Sequence, residues 1–461
     1  MSPLSSDRFW RVAITIAGSD SGGGAGIEAD LKTFAALGVH GAVALTSVTA
    51  QNTYEVTAIH DIPPEVIYKQ IKAVAEDMGI NAGKTGMLSN SDVIHVVADA
   101  VREFPFPLVV DPVMVAKSGA RLLREDAVKT LMKELLPLAK VVTPNALEAE
   151  NLTGVKIRSV EDSKLAARKI VEDFGCEAAV VKGGHLSGEE SVDVLYWRGR
   201  HYVLSRSRVV GCTHGTGCVF SAAIAAEIAK GLDIYESVRR AKEFVTEAIE
   251  LGVRLGKGHC PVNPVAWLDV PAHKYHVLSN VEEALRELLR NSSKVAEIIP
   301  EVGMNLVMSM PPQYVRGVED VAGISGRIVK FEDGVKIVGP VRFGASSHLA
   351  RLVIEALRMD PGVRAALNIK FDEEFIKKAV ELGYSAVFVD RLKEPEDVRR
   401  VEGSSLRWVV DEVFKTTGKI PDIIYDKGCL GKEAMIRILG RDALEVVRKL
   451  INIAEFRSAT L

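Results

Sequence analysis

Along the first 255 residues, short apolar runs alternate with stretches whose apolar positions recur every three to four residues. RVAITIA (11–17) is a β-rich run ending at Gly18, and IEADLKTFAAL (27–37) has helical spacing and stops at Gly38. The alternation then repeats. AVALTSVTA reads as a strand, PPEVIYKQIKAVAEDM as a helix, AGKTGML as a strand and turn, and VIHVVADAVREF as a helix. PLVVDPVMV is a strand, EDAVKTLMKELLPLA a helix, KVVTPN a strand end, VEDSKLAARKIVEDFG a helix with a glycine cap, and EAAVVKGGH a strand. VDVLYW and HYVLSRSRV pair as a hairpin, and ESVRRAKEFVTEAIELG closes the series as a helix. Such a pattern predicts an α/β fold with a mostly parallel sheet and helices on both faces. Ligands of such sheets gather at the carboxyl ends of the strands.

From Gly256 to Tyr275 the periodicity lapses, and Pro261, Pro264 and Pro271 intervene. This predicts a first domain over 1–265, a linker over 266–279 and a second domain over 280–461. Beyond the break, VEEALRELLR restarts a helix and NLVMSM is a strand. EDVAGISGRIVKFEDGVKIVG is β-rich and turns at E-D-G, and alternating helices and strands follow. This second α/β domain does not repeat the first.

Composition adds limits. A chain of 461 residues, 47% hydrophobic and 26% charged, suits a globular protein of two or three domains. No apolar run approaches the ~18 residues of a membrane span. The opening MSPLSSDRFWRVAITIAGSD has none of the regions of a secretion signal, so no membrane association and a cytoplasmic location are expected. Net charge is −3 and neither half carries a basic excess, which argues against a nucleic-acid partner. The five cysteines are scattered, odd in number and form no C-x-x-C pair, so neither a disulfide framework nor a zinc site is expected.

Candidate chemistry centres on Gly211–Phe220, G-C-T-H-G-T-G-C-V-F, followed by the small-residue helix SAAIAAEIAK. Gly215 and Gly217 permit close approach of a ligand to the main chain, and the turn opens a helix whose free N–H groups attract anions. Cys218 stands in the first turn, where a thiol's pKa tends to be lowered. Two other glycine patterns lead nowhere. Gly24-x-Gly26-x-x-Ala29 lacks the acid expected about 20 residues on, and Gly83-Lys84-Thr85 lacks the first glycine of a P-loop. The remaining strand-end loops, SDSGGGAG, VTAQNT, DPVMVAKSG, TPNALEAENL and VVKGGH, bring candidate polar groups. Asp111 and Glu148 are hard oxygen donors suited to Mg²⁺, and Lys182 is a cation for phosphate. Taken singly, each has a plainer reading as a turn cap, a solvated helix face or a snorkelling lysine. Their joint position at strand ends favours phosphoryl transfer.

AGSDSGGGAGIEADLKTFAALG, VTAQNT, KTGML, DPVMVAKSGARLL, TPNALEAENLTG, VVKGGH and THGTGC resemble the hydroxymethylpyrimidine and hydroxymethylpyrimidine-phosphate kinases, which are ribokinase-like. The likeness covers roughly residues 11–265. It implies two successive phosphorylations of 4-amino-5-hydroxymethyl-2-methylpyrimidine that use ATP and Mg²⁺. It also implies that Gln51 hydrogen-bonds the aminopyrimidine, for which an amide offers both donor and acceptor. Gly18 and Asp30 would lie near the pyrimidine, and Gly215, Thr216, Gly217 and Cys218 would form the anion hole, with Cys218 a candidate proton acceptor. The sequence departs from the family at Pro264, where many members have histidine.

GISGRIV, VRFGASSHLARLVIEALR, ALNIKF, DRLKEPEDVRRVEGSSLRW and DIIYDKGCLGKEAMIRILG resemble the non-barrel thiamine-phosphate synthases, over roughly residues 280–458. The family reaction joins the pyrimidine diphosphate to 4-methyl-5-(2-phosphoethyl)thiazole and releases pyrophosphate. Arg327 and His348 match positions linked with catalysis. A related family uses this domain as a ligand sensor beside a DNA-binding module. His348, the balanced charge and the lack of a helix-turn-helix before this domain favour catalysis here. The expectation is therefore a bifunctional enzyme acting on small molecules, as a homo-oligomer. Two alternatives stay open: a kinase with a thiamine-phosphate-sensing second domain, and a pyridoxal-type kinase.

Overall fold

The computed structural model describes residues 10–115, 119, 122–184, 188–400, 404–428 and 433–458. Parts of the DPVMVAKSGARLL, VVKGGH and DKGCLGKEAM motifs lie outside the described residues, as does the N-terminal nonapeptide, on which the absence of a secretion signal was partly read. The chain divides into two compact units, Met1–Leu268 and Asp269–Leu461.

In the first unit the strands are β1 (Val12–Ala17), β2 (His40–Leu45), β3 (Ser47–Gln51), β4 (Val56–Asp61), β5 (Ala82–Thr85), β6 (Leu108–Val110), β7 (Val141–Val142), β8 (Ala178–Val181), β9 (Glu190–Trp197) and β10 (Arg200–Ser207). Eight of them form one sheet in the order β10-β9-β8-β7-β6-β5-β1-β2. The pairs from β2 to β8 are parallel; β9 alone runs the other way, pairing antiparallel with β8 and with β10, the latter as the predicted hairpin. The parallel strands inside the sheet, β1 and β5 to β8, are buried on both faces, which is why they read as continuous apolar runs, while the edge strand β2 is half-exposed. Leu108 and Val110 pack against the helices Pro64–Asp77, Ser91–Glu103 and Val160–Phe174, while Val109 faces the helices Gly26–Ala36, Thr216–Ala229 and Ile234–Glu250. The Thr216–Ala229 helix is buried from Val219 to Ala229, so it is apolar on every side and built of small residues that admit close neighbours.

Three local readings change. AVALTSVTA is two strands rather than one. Thr46 breaks the run, its N–H donating to Ala17 O at 3.0 Å and its hydroxyl to Met87 O at 2.7 Å, so β3 leaves the main sheet to pair with β4 in a separate hairpin. EDAVKTLMKELLPLA begins as the helix Glu125–Thr130, widens into a π turn at Leu131–Leu135 and tightens into a 3₁₀ turn at Leu136–Leu138, where Pro137 stops it. Finally, the expected linker over 266–279 is helical, within Ala266–Arg290. Pro271 forfeits one internal hydrogen bond. Val277, Val281, Ala284, Leu285 and Leu288 nevertheless recur at helical spacing and are buried, and that face outweighs the proline.

The second unit holds β11 (Leu306–Ser309), β12 (Val321–Ile324), β13 (Arg327–Phe331), β14 (Gly334–Val338), β15 (Val341–Phe343), β16 (Ala365–Lys370), β17 (Ala386–Phe388), β18 (Ile423–Asp426) and β19 (Met435–Gly440). Its seven-stranded sheet runs β15-β12-β11-β16-β19-β18-β17, antiparallel except for the β17–β18 pair. The β13–β14 hairpin stands apart from that sheet and turns at Glu332. The helix Ser347–Met359 lays Leu349, Leu352, Val353 and Ala356 on the sheet in one core cluster.

Candidate active site

The two glycine-rich loops of the first unit meet. Gly215 has φ +84°, and a Cβ there would stand 1.9 Å from Gly24 O, so only glycine lets the loops touch. Asp20 organises this seam. Its carboxylate accepts N–H bonds from Gly22 (2.8 Å), Gly24 (3.1 Å) and Ala25 (2.8 Å) and lies 2.9 Å from His214 Nε2. Burial would raise the Asp20 pKa, but His214 and the N–H groups outweigh it and hold the carboxyl below its usual range. Sequence reasoning missed both residues. The histidine inside T-H-G-T-G-C, next to the candidate cradle, was the available signal.

The polar groups of the strand ends converge behind this seam. Lys182, just past β8, places Nζ 3.0 Å from Asp111 Oδ1, just past β6. A Cβ on Gly217 would lie 3.4 Å from both Asp111 Oδ2 and Lys182 Nζ, which puts the start of the Thr216–Ala229 helix directly against the pair. Thr143 and Ser221 hydroxyls approach Asp111 at 3.4 Å. Burial works against the charge on Lys182, yet Asp111 and Glu148 overcome it and raise its pKa. Glu148 serves partly as a helix cap: its carboxylate accepts the Asn145 N–H at 2.8 Å, while Asn145 caps the Glu148 N–H at 2.9 Å. Burial, with Asp111 nearby, pushes the Glu148 carboxyl up to about 7 despite Lys182.

Cys218 departs from expectation. A helix start ordinarily lowers a thiol's pKa, but here burial, together with the carboxylates of Asp30 and Asp111, pushes it up to about 11 against the pull of Lys84. The thiol is protonated at neutral pH. Asp30, expected near the pyrimidine, is fully buried, and both of its oxygens are engaged. Lys84 Nζ donates to them at 2.8 and 3.0 Å and Thr15 Oγ1 at 2.6 Å. Lys84, the residue of the rejected P-loop, is thus a core counter-ion. Gly18 is buried, and a Cβ there would meet Met87 Sδ at 3.3 Å and Ser47 O at 3.4 Å. Gln51 ends β3, its backbone tied to Ser21 Oγ by two bonds of 2.7 Å.

The cysteines correct another expectation. Cys212 and Cys260 form a disulfide between the cradle loop and the segment after the helix Ile234–Glu250. They are 48 residues apart, and no sequence spacing announces such a pair. Cys176 and Cys218 are free thiols, and Cys429 lies outside the described residues.

In the second unit, Arg327 begins β13, is exposed and donates to Gly326 O at 2.9 Å. His348 is the second residue of the helix Ser347–Met359, which follows Ser346 in a left-handed conformation at φ +54°. Ile324 pairs with Val341, and Ala322 with Phe343. The chain therefore leaves the β12–β15 ladder toward Arg327 at one end and toward His348 at the other.

The family model described as Phosphomethylpyrimidine kinase matches residues 20–263, and that for Thiamine-phosphate synthase ThiN matches residues 280–452. The Bifunctional thiamine biosynthesis protein ThiDN of Methanocaldococcus jannaschii is 33% identical over 442 residues, covering 95% of this chain and 97% of that one. The chain belongs to the ThiDN family of bifunctional thiamine-biosynthesis proteins. It is a transferase with a kinase unit and a thiamine-phosphate-synthase unit. The kinase unit is also similar to the Hydroxymethylpyrimidine/phosphomethylpyrimidine kinase of Haemophilus influenzae, 48% identical over 261 residues, 55% of this chain and 96% of that one. Its fold is that of pyridoxal kinase from Bacillus subtilis, solved as an ADP complex, with 39% identity, TM-score 0.53 and coverage of 56% and 98%. The fold class is therefore ribokinase-like for the first ThiDN unit, with a second α/β unit behind it. Among the described residues no helix is long and apolar enough to cross a membrane.

Proposed function

We propose that the first unit phosphorylates 4-amino-5-hydroxymethyl-2-methylpyrimidine and then its monophosphate from ATP, and that the second unit condenses the diphosphate with 4-methyl-5-(2-phosphoethyl)thiazole. The observation that carries the kinase reading is the Lys182–Asp111 pair, 3.0 Å apart, set so close to the helix start that a Cβ on Gly217 would lie 3.4 Å from both, beside the Gly24–Gly215 seam. The N–H groups from Gly215 to Cys218 receive oxygens of the transferring phosphoryl group, and Lys182 neutralises the charge that spreads over them. The loose transition state of phosphoryl transfer demands little early proton removal, which suits a Cys218 thiol that starts protonated and lines the site. Gln51 holds the aminopyrimidine, with Gly18 beneath it. Asp30 is a positioning residue through Lys84.

Asp111 and Glu148 are two hard donors, and among the described residues no group of three or more His, Cys, Asp or Glu is placed to hold a metal. Two carboxylates with water and substrate phosphates satisfy Mg²⁺, so the donor set fits that ion. When bound, it supplies charge neutralisation on the phosphates. In the second unit, His348 at the helix start donates to the leaving pyrophosphate, and Arg327 takes a phosphate in bidentate fashion. We place the enzyme in the cytoplasm, where ATP is supplied, as a homo-oligomer.

The test is a coupled assay on the full chain with pyrimidine alcohol, thiazole phosphate, ATP and Mg²⁺. Thiamine phosphate is the expected product. Adding the diphosphate and thiazole phosphate without ATP isolates the second step, and no product there would leave a kinase with a sensor domain. The likeness to pyridoxal kinases favours one competing reading for the first unit. Faster turnover of pyridoxal than of the pyrimidine would establish it.

A further inference from the structure

The segment 252–262 has no part in the chemistry above, yet it touches both sides of the kinase site. At one end, Gly258 N–H donates to Thr53 Oγ1 at 3.1 Å and His259 N–H to Thr53 O at 2.8 Å. Thr53 lies two residues past Gln51, in the β3–β4 turn. The approach is close: a Cβ on Gly258 would stand 2.3 Å from Thr53 O. At the other end the segment runs beside the cradle loop. His214 N–H donates to Cys260 O at 3.1 Å and Val262 N–H to His214 O at 3.0 Å. Cys212 is bonded to Cys260, and its own N–H donates to Ile249 O at 3.1 Å. His214 is therefore flanked by the disulfide on one side and held by Asp20 on the other.

We propose that the Cys212–Cys260 disulfide is a positioning element for phosphoryl transfer, fixing the strap 252–262 against loop 213–217 so that the anion cradle and the Gln51 turn keep one spacing. The proposal rests on the kinase reading. In-line transfer is sensitive to displacements of about 1 Å, which reduce rates up to ~10²-fold. Without the covalent tie, the strap is held to the cradle loop by exchangeable backbone hydrogen bonds. In a reducing cytoplasm, the location proposed above, the bond is opened by a dithiol reductant and the enzyme rests in the looser state. The S–S bond breaks, each sulfur gains one electron and one proton, and the reductant closes to its own disulfide. The free thiols of Cys176 and Cys218 are poor internal attackers, since burial holds both well above neutrality, at about 12 and about 11.

The experiment follows ADP release by the full chain with pyrimidine alcohol in three states: oxidised, reduced with dithiothreitol, and re-oxidised with oxidised glutathione, with free thiols titrated in each. The expected result is a fall in kcat of about tenfold on reduction, with the KM for the pyrimidine within about twofold, and recovery on re-oxidation. Cys212→Ser and Cys260→Ser should rest at the reduced level and ignore dithiothreitol. A lower Tm with kcat unchanged, measured well below melting, makes the bond merely structural and overturns the proposal. Full turnover with Cys212 and Cys260 titrating as thiols does the same. Should the variants fail to fold, the in-place reduction of the parent decides. Failure of the kinase reading is distinct: no ADP release in any state.

Discussion

The two units dispose their candidate site residues differently. In the kinase unit, groups from separate strands, loops and helices are drawn together: Lys182 onto Asp111, His214 onto Asp20, Lys84 onto Asp30. In the second unit, Arg327 and His348 leave one antiparallel ladder at opposite ends. The difference follows from topology. A parallel sheet turns all its strands' carboxyl ends to one edge, so every βα loop delivers its residues to the same place. An antiparallel sheet distributes loops to both edges, and its candidate residues need the ligands themselves to connect them. In the first unit the candidate residues Lys182 and Asp111 accordingly touch each other directly.

The strongest way to break this comparison is Lys182→Ala. It removes the cation that faces Asp111 and the Gly217 turn, and kinase kcat should fall about 10³-fold while condensation of supplied diphosphate is unchanged. A loss of both activities would show that the units are not chemically separate. Next in size, His348→Ala should lower thiamine phosphate formation by about 10²-fold with pyrimidine phosphorylation intact. Adding Arg327→Ala should deepen that loss if the two residues serve different phosphates, and the double variant's rate measures this.

Glu148 gives a finer probe. Its carboxyl titrates at about 7 in the folded chain against an ordinary 4.5, so between those values the folded protein keeps a proton that the unfolded chain has lost. Stability from this group is therefore full below 4.5 and is lost as pH rises through 7. In the metal-holding role proposed for it Glu148 must be ionised, so kinase kcat/KM should decline below pH 7, to about a tenth of its plateau at pH 6. Glu148→Gln should flatten both the acid limb and the matching slope of Tm with pH. The smallest effect is expected from Cys218→Ser. A thiol near 11 is not poised as a base, so kcat should fall by less than about tenfold. A loss of 10³-fold would restore Cys218 to the proton transfer.

Much of the kinase unit was legible because its central strands, buried on both faces, leave unbroken apolar runs such as Leu108–Val110 and Ala178–Val181. The convergence of Asp111, Glu148 and Lys182 was legible for the same topological reason. What was hidden shares a different cause. The Asp20–His214 contact and the Cys212–Cys260 bond join residues from separate loops, and pairings across loops leave no periodic trace. Pro271 misled in the opposite sense, since a local breaker was overridden by a buried helical face that extends well beyond it. The lowered thiol pKa expected of Cys218 from its helix position is reversed by burial, with the carboxylates of Asp30 and Asp111 adding to it.

The Asp20–His214 contact spans 194 residues. Contacts of such separation form slowly, because the intervening chain must close first. His214 in turn bridges to Pro261, at the far end of the kinase unit. In a growing polypeptide the first glycine loop therefore waits for His214, and the bridge that flanks His214 waits for Pro261. A chain cut short of Pro261 would hold every strand of the first sheet, the last of which ends at Ser207, without the bridge that supports His214.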